Sequence, residues 1–322
     1  MKAAIIFPNE GVPEYVNYPE PIIQQKDEVL ITMKAAAIKH IDKSRASGWH
    51  YSTRHDLAEA KIPGGDGVGV LEDGSLVYAI GNGMIAEKAI AEKNRIVILP
   101  PNIDVATAAA LPNAVIGSAM GILFKAGIQQ GETVLINGAT GFTGKIAVQI
   151  AKHYGAGKII ATGRNKQSLE SLIALGANEI ISTEQDPDSF IKQVKQLHAT
   201  IPIDIVIDYL WGRTAELILS VFKGKGSFTH RTRFVSIGAV TGDSVQLSAY
   251  LLSITVLQLY GSGLGSWTKS QVQQLFSTIL PEMFQLAADK KLKVDTITVP
   301  LADIENIWSM DSIDRKRLVV LI

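Results

Sequence analysis

Hydrophobic residues are spaced in two different ways along the chain, and the change comes near residue 114. Before it, short apolar or alternating runs are separated by glycine turns, a pattern typical of β-strands. The predicted strands cover residues 2–6, 28–36, 69–72, 76–80 and 95–99. We therefore expect a rolled, mostly antiparallel β-domain at the start of the chain.

Beyond residue 114, apolar strands alternate with segments of helical period. Strands are predicted at residues 134–136, 158–161, 179–181, 203–207 and 233–237, and the first helix is predicted at residues 114–125. This alternation predicts an α/β fold with a doubly wound parallel sheet. A further β-rich run at residues 254–260 and an amphipathic helix at residues 271–288 follow the sheet.

The last 30 residues return to a strand–helix–strand pattern, at 293–322, with no obvious partner in the parallel sheet. We infer that this tail rejoins the first domain and that the parallel-sheet domain is an insertion. The predicted domains are residues 1–114 with 263–322, and residues 115–262.

The segment TVLINGATGFTG, residues 133–144, predicts a buried strand that breaks into a glycine turn and opens a helix. Gly141 allows close approach to a pyrophosphate, Gly144 allows close packing of helix on strand, and Ala139 stands where the dinucleotide fingerprint has its first glycine. The alternative is an ordinary strand–turn–helix without a ligand. The cofactor contacts predicted from this turn are Ala139, Thr140, Gly141, Phe142, Thr143 and Gly144.

Arg164 lies 20 residues after Gly144, at about the distance where NAD proteins place a carboxylate that accepts the ribose hydroxyls. The residue at this position therefore discriminates between the two nicotinamide dinucleotides. Gly163, Arg164, Asn165 and Lys166 offer instead a guanidinium, an amide and an ammonium to a 2′-phosphate. This favours NADP(H). The alternative is that Arg164 and Lys166 are solvated loop residues.

Composition narrows the chemistry. The 322 residues have a formal net charge of zero and no cysteine, which excludes disulfides, thiolate zinc sites and cysteine nucleophiles. Nothing in the charge indicates nucleic acid or an anionic membrane as partner. No uninterrupted apolar run approaches the roughly 18 residues of a membrane span. We expect a cytoplasmic protein that acts on small molecules.

Taken together, the segments AAAIKHIDKSRASG, IPGGDGVGVLEDG, AAALPNAVIGSAMGIL, TVLINGATGFTGKIAVQIAKHYGA and LGANEIIS resemble, in family order, the medium-chain dehydrogenase/reductase superfamily and its zinc-independent quinone oxidoreductase branch. The resemblance implies a Rossmann NADP-binding domain inserted into a GroES-like catalytic domain. Where zinc-dependent relatives have a cysteine and a histidine ligand, this chain has Lys39 and Gly65, so no metal is expected. A site improvised from His40, Asp42 and Asp66 is the alternative.

The resemblance also implies the reaction. Without a zinc Lewis acid, we expect hydride transfer from NADPH to a quinone or an α,β-unsaturated carbonyl compound. One alternative is a 2-enoyl thioester reductase, for which a basic patch would receive the carrier's phosphates. Another is a cofactor-binding regulatory or structural protein without turnover. The candidate basic patch consists of Lys223, Lys225, Arg231 and Arg233.

Further site residues are carried over by resemblance. His40 and Tyr51 are the catalytic donors expected in the substrate pocket, and Trp49 and His50 are expected to contact substrate. Four further cofactor contacts are expected: Ser118 near the nicotinamide ribose, Gly238 and Ala239 at the nicotinamide edge, and Arg317 at the pyrophosphate. Relatives also imply a homodimer in which the run at residues 254–260 pairs across a two-fold axis.

Overall fold

The computed structural model describes residues 1–8, 10–48, 59–224, 228–310 and 315–322. The chain divides into two compact units. The first unit contains Met1–Pro112 and Phe276–Ile322, and the second contains Asn113–Leu275. The parallel-sheet unit is therefore inserted into the β-rich one.

The first unit is built on a seven-stranded mixed sheet and a two-stranded sheet. The large sheet has the order β14-β15-β3-β4-β5-β7, with β6 also on β3, and the small one pairs β1 with β2. The strands are β1 (Lys2–Ile5), β2 (Glu14–Asn17), β3 (Glu28–Ala37), β4 (Asp66–Val70), β5 (Leu76–Ile80), β6 (Lys88–Glu92), β7 (Ile96–Ile98), β14 (Thr296–Pro300) and β15 (Arg317–Leu321); the helices are α1 (His40–Ala46), α9 (Leu280–Ala288) and α10 (Ile304–Trp308).

The long strand β3 organises this sheet because its alternate side chains are buried against β4. A Cβ placed on Gly67 would lie 2.5 Å from Met33 Cε, and one placed on Gly69 would lie 2.5 Å from Ile31 Cγ2. The glycines of β4 therefore leave room for the apolar side chains of β3. At its other end β3 pairs with β15, Val319 opposite Ala37, so the C-terminal tail does rejoin the first unit.

The second unit has a six-stranded parallel sheet of order β10-β9-β8-β11-β12-β13. This is the doubly wound order in which the chain reverses direction beside β8, and it confirms the predicted fold class. Its strands are β8 (Thr133–Asn137), β9 (Lys158–Gly163), β10 (Glu179–Ser182), β11 (Ile205–Asp208), β12 (Thr232–Ser236) and β13 (Leu257–Gly261); its helices are α3 (Phe142–His153), α4 (Lys166–Ile173), α5 (Pro187–Thr200), α6 (Gly212–Val221), α7 (Ala249–Ser253) and α8 (Lys269–Gln274).

The helix that links the units begins earlier than predicted. It is α2 (Val105–Met120), which has Pro112 in its interior and widens into a π-helical stretch at Gly121–Ala126. Asp104 caps its start by accepting the Thr107 N–H at 2.8 Å. By length and composition, Val105–Ala126 is the one helix among the described residues that is apolar enough to cross a membrane, but 67% of its most apolar window is buried within the fold.

The predicted domain boundaries differ from the observed ones in one substantial place. The chain returns to the first unit after Leu275, not after residue 262. Contacts within the second unit explain the difference: the Lys125 ammonium donates to the Ser266 carbonyl, and Trp267 Nε1 donates to Ser262 Oγ at 3.2 Å. The segment after β13 is thus held by its own unit.

Candidate functional site

The glycine turn lies at the carboxyl end of β8, the central position of the parallel sheet. Gly138 has a φ of 85°, a left-handed conformation that favours glycine. Gly141 is the N-cap of α3 and makes no side-chain cap hydrogen bond. The first N–H groups of α3 have no intrahelical acceptor, so this helix end offers donors and a positive dipole to an anion.

The requirement for glycine has a different physical cause at each of the two fingerprint positions. A Cβ on Gly144 would lie 2.4 Å from the Gly138 carbonyl oxygen and 2.6 Å from Ala139 Cα, so the protein itself requires glycine there. A Cβ on Gly141 would meet no atom closer than the Gly138 oxygen at 3.7 Å. The space beside Gly141 is therefore open to a ligand. This cradle fits a dinucleotide pyrophosphate. The contacts predicted from the sequence, Ala139 to Gly144, form the turn and the first residues of α3.

A chain of buried hydrogen bonds, missed in the sequence, joins the ends of three parallel strands beneath this turn. Thr162 Oγ1 donates to Asn137 Oδ1 at 2.7 Å, and Asn137 Nδ2 donates to Asp208 Oδ1 at 2.7 Å. Each of these three residues is completely buried. Burial raises the pKa of Asp208, while its hydrogen bonds with Asn137 and two backbone amides act in the opposite direction. The sequence feature that could have predicted this chain of hydrogen bonds is a polar residue near the end of each of these apolar strands.

The end of β9 presents the residues predicted to select the cofactor. Gly163 is buried against Thr140, because a Cβ there would lie 2.4 Å from Thr140 Cγ2. Arg164 and Lys166 are exposed, and within the described residues the Arg164 guanidinium makes no hydrogen bond or ion pair. Asn165 caps α4 by accepting the Ser168 N–H at 2.8 Å, so its amide oxygen has a structural role.

Three further predicted contacts lie at the same edge of the second unit. Gly238 and Ala239 are the second and third residues after the end of β12; Gly238 is half-buried and Ala239 is exposed. Ser118 is completely buried, and its hydroxyl forms a 2.8 Å hydrogen bond with the Tyr209 hydroxyl. The structure thus gives Ser118 a protein partner, and Tyr209 retains 8% exposure.

In the first unit, the predicted zinc-ligand positions surround a buried ammonium group. Lys39 Nζ donates to the Asp66 carboxylate and to the Ala37 carbonyl at 3.2 Å, and it lies 3.1 Å from Asp42 Oδ2. Tyr78 donates to the other oxygen of Asp66 at 2.8 Å. A Cβ on Gly65 would lie 3.4 Å from Arg45 Nη1 and 3.8 Å from Asp42 Oδ1, so position 65 lies beside one carboxylate of this cluster.

The two carboxylates of this cluster stabilise its buried ammonium and keep its phenol neutral. Burial disfavours the Lys39 ammonium, but Asp42 and Asp66 outweigh that cost and raise the pKa of Lys39. Burial and the Asp66 charge raise the pKa of Tyr78 well above its usual value, so the phenol stays a neutral donor. Both carboxylates thereby contact a buried cation. A metal ion at the alternative site of His40, Asp42 and Asp66 would have to compete with that cation for two of its three ligands.

Of the remaining candidate site residues of the first unit, His40 and Arg317 lie within the described residues. His40 is the exposed first residue of α1. Trp49, His50 and Tyr51 lie outside the described residues. Arg317 points at the interior of the first unit: its Nη1 donates to the Ile38 carbonyl at 3.4 Å, and burial lowers its pKa against the opposing charges of Asp42 and Asp66. These contacts support a structural role for Arg317, and its pyrophosphate contact stays a prediction.

Of the candidate basic patch, Lys225 lies outside the described residues, and Lys223 and Arg231 are exposed. Arg233 is buried, with its guanidinium on the Glu132 carboxylate and on the Ala126 carbonyl at 2.6 Å. A surface cavity of about 460 Å³ is lined in part by Arg231 and Arg233. It lies before the starts of β8, β11 and β12, at the edge of the sheet opposite to the glycine turn.

Comparison with known proteins agrees with this architecture. A family model described as zinc-binding dehydrogenase matches residues 143–281. The chain is 23% identical to a probable NADPH-dependent quinone reductase from Emericella nidulans, over 96% of each chain. It is 30% identical to a chloroplastic NADPH-dependent alkenal/one oxidoreductase from Arabidopsis thaliana, over 52% of this chain and 49% of the relative.

Solved structures show the same fold. A mycobacterial quinone oxidoreductase superposes with a TM-score of 0.83 at 21% identity, covering 100% of both chains. The quinone oxidoreductase of Thermus thermophilus, a protein also solved as its NADPH complex, superposes with a TM-score of 0.76 at 23% identity over 100% of both chains. The predicted combination of a Rossmann unit and a mostly β unit is therefore confirmed.

Alanine at the two fingerprint glycines should separate ligand binding from folding. Gly144→Ala should destabilise the protein by about 1–3 kcal/mol, because its methyl group would overlap the turn. Gly141→Ala should leave stability within about 0.5 kcal/mol of wild type and weaken NADPH binding at least about tenfold. Urea unfolding and fluorescence titration measure the two effects. Equal NADPH affinity in wild type and Gly141→Ala would contradict the cradle.

Removing the buried ammonium should be costly. Lys39→Met removes the ammonium that contacts both Asp42 and Asp66, and we expect a loss of about 3–5 kcal/mol in the free energy of unfolding. The control is Lys88→Met, which removes an ammonium 33% exposed beside Glu20 and should cost no more than about 1 kcal/mol. Similar losses in the two variants would show that the Lys39 cluster is not a compensated buried site.

Proposed function

The chain belongs to the medium-chain dehydrogenase/reductase superfamily, in its quinone oxidoreductase branch, and from that premise we propose that it is an NADPH-dependent reductase of quinones or α,β-unsaturated carbonyl compounds. The observation that carries the proposal is the cradle at Gly141, which is followed by the exposed Arg164 guanidinium at the end of the neighbouring strand. An oxidoreductase with NADP(H) as cofactor is the function that this edge of the sheet supports best.

The residues of the second unit have defined tasks in this proposal. The uncapped amides of α3 bind the pyrophosphate, and Arg164 with Lys166 receives the 2′-phosphate. When bound, NADPH supplies the hydride for the acceptor. His40 and Tyr51 remain the predicted donors to the developing negative charge on the acceptor oxygen, and Trp49 and His50 remain the predicted substrate contacts.

Zinc independence is part of the proposal, and its physical support is Lys39. Its ammonium holds both Asp42 and Asp66, the two carboxylates nearest the positions where relatives bind zinc. A metal ion would have to displace a buried cation that already contacts both carboxylates. Hydride acceptors that need no Lewis acid are therefore the preferred substrates.

The 2-enoyl thioester reductase is less well supported, because one of the four residues of its candidate basic patch, Arg233, is buried in a pair with Glu132 and cannot serve an acyl carrier's phosphates. A non-catalytic cofactor-binding protein is the remaining alternative. We further propose a cytoplasmic location, in agreement with the absence of cysteine.

A homodimer is proposed from the edge strand β13. This strand ends the order of the parallel sheet, and its neighbourhood exposes Val256 by 48% and Leu259 by 37%. An apolar edge left open invites uncontrolled association, and pairing with a second copy across a two-fold axis closes it.

Arg164→Ala should remove the preference for NADPH. A charge-assisted hydrogen bond contributes about 1.5–3 kcal/mol, so wild type should bind NADPH at least about tenfold more tightly than NADH. The variant should lose that advantage while its NADH affinity stays unchanged, as measured by calorimetry. Equal affinities of wild type for the two cofactors would refute the assignment.

Sedimentation tests the dimer. One chain has a mass of 34.7 kDa, and the protein at micromolar concentration should sediment at about twice that mass. Leu259→Lys should give a monomer because it places like charges face to face, whereas Ile173→Lys, at an exposed site on α4, should remain dimeric. A monomeric wild type would reject the proposed interface.

Activity is tested with purified protein, NADPH and a panel of quinones, enals and enoyl thioesters. We expect NADPH oxidation with quinones or enals, no oxidation of simple alcohols by NADP⁺, and no change of rate after extensive chelation. Absence of turnover over the whole panel would leave the non-catalytic alternative. A stoichiometric zinc ion that is lost together with activity would overturn the zinc-independent mechanism.

A further inference from the structure

The turn that follows β11 contains a strained backbone. Trp211 has a φ of 58° and a ψ of −158°, a combination that is essentially restricted to glycine. The other described non-glycine residues with positive φ are Lys290 and Arg315. Lys290 follows the end of α9, where left-handed residues are common, but Trp211 precedes a helix at the carboxyl edge of the parallel sheet.

Hydrogen bonds from two residues hold Trp211 in this conformation. The Asp208 carboxylate accepts the Trp211 N–H at 3.0 Å and the Leu210 N–H at 3.1 Å. Thr241 donates its N–H to the Leu210 carbonyl at 2.9 Å, and its hydroxyl lies 3.0 Å from the carbonyls of both Leu210 and Trp211. Strain persists only where the surroundings fix the conformation in this way, and it is often found at functional sites.

The strained turn brings two side chains to the region beside the glycine turn. Leu210 covers Gly138, since a Cβ on that glycine would lie 2.9 Å from Leu210 Cγ. Tyr209 reaches α2, where its hydroxyl bonds Ser118 Oγ, and it retains 8% exposure. A Cβ on Gly238 would lie 2.6 Å from the Tyr209 carbonyl oxygen. Tyr209 and Leu210 thus contact the residues that follow both β8 and β12.

Sheet order indicates which half of a dinucleotide this space faces. In the order β10-β9-β8-β11-β12-β13, Arg164 follows β9 on one side of β8, and Tyr209 follows β11 on the other. In a dinucleotide whose pyrophosphate lies at the central glycine turn and whose adenosine 2′-phosphate lies toward Arg164, the nicotinamide half extends toward β11 and β12.

We propose that Tyr209 is a positioning residue for the nicotinamide half of NADPH, with Ser118 as the anchor of its hydroxyl. The inference rests on the proposed function, because it requires that NADPH binds at this edge. Burial raises the pKa of Tyr209, so its hydroxyl remains protonated and neutral. It therefore contributes a fixed surface and a hydrogen bond, and it does not supply a charge.

Calorimetry with two ligands tests this role in the full chain. NADPH contains both halves, and adenosine 2′,5′-bisphosphate contains only the half assigned to Arg164. Tyr209→Ala should weaken NADPH binding about tenfold and leave the bisphosphate affinity unchanged. Tyr209→Phe, which keeps the ring, should recover part of the NADPH affinity. Arg164→Ala should weaken both ligands, and Tyr250→Ala, at a tyrosine 60% exposed, should weaken neither.

Equal weakening of both ligands by Tyr209→Ala, or no weakening of either, would overturn the inference. If Tyr209→Ala does not fold, Tyr209→Phe and Ser118→Ala decide the matter. Each should weaken NADPH alone, and the double variant should be no weaker than a single one because both changes remove one hydrogen bond. Additive losses would overturn the pairing.

The same titrations separate this inference from the proposed function. If wild type binds neither ligand, the proposed cofactor fails and the inference fails with it. If wild type binds both ligands but the ratio of their affinities is unaffected by Tyr209→Ala, only the inference fails.

Discussion

The hydrogen bonds among Thr162, Asn137 and Asp208 are the constraint on which the second unit depends. They join the carboxyl ends of β9, β8 and β11, where the chain must leave the sheet in three directions. In a buried site of low dielectric, an unsatisfied member of such a chain would be costly, so the three strand ends are fixed relative to one another. The glycine turn and the turn after β11 both start from these fixed points.

From this base each turn gains a specific geometry. Asn137 precedes Gly138, whose left-handed backbone starts the cradle at Gly141. Asp208 uses its carboxylate both to close the chain with Asn137 and to hold the strained amide of Trp211. One buried carboxylate thereby links the pyrophosphate cradle to the surface that we assign to the nicotinamide half. The first unit applies the same rule at Lys39, where a buried cation is compensated by two carboxylates.

Much of the second unit could be predicted from sequence because its signals are local. The spacing of Ala139, Gly141 and Gly144 between a strand and a helix can be recognised within a short stretch of sequence. So can the arginine that stands at position 164 in place of a carboxylate. The start of α2 could not be predicted in the same way, because Pro112 normally ends a helix. Here nearly continuous burial from Ala108 to Leu111 outweighs the lost backbone hydrogen bond. The short strands β2 and β6 were missed because tertiary pairing fixes them.

The ion cluster at Lys39 and the Tyr209–Ser118 pair depend on residues far apart in sequence, and no spacing rule predicts such contacts. The central claim is that a dinucleotide binds at the carboxyl edge of the parallel sheet in the second unit. Amide hydrogen exchange with and without NADPH tests it most directly. The account predicts slower exchange in peptides covering residues 138–145 and 163–168, with no change in residues 126–132 beside the opposite cavity. Slower exchange confined to that cavity, or no change in the glycine turn, would contradict it.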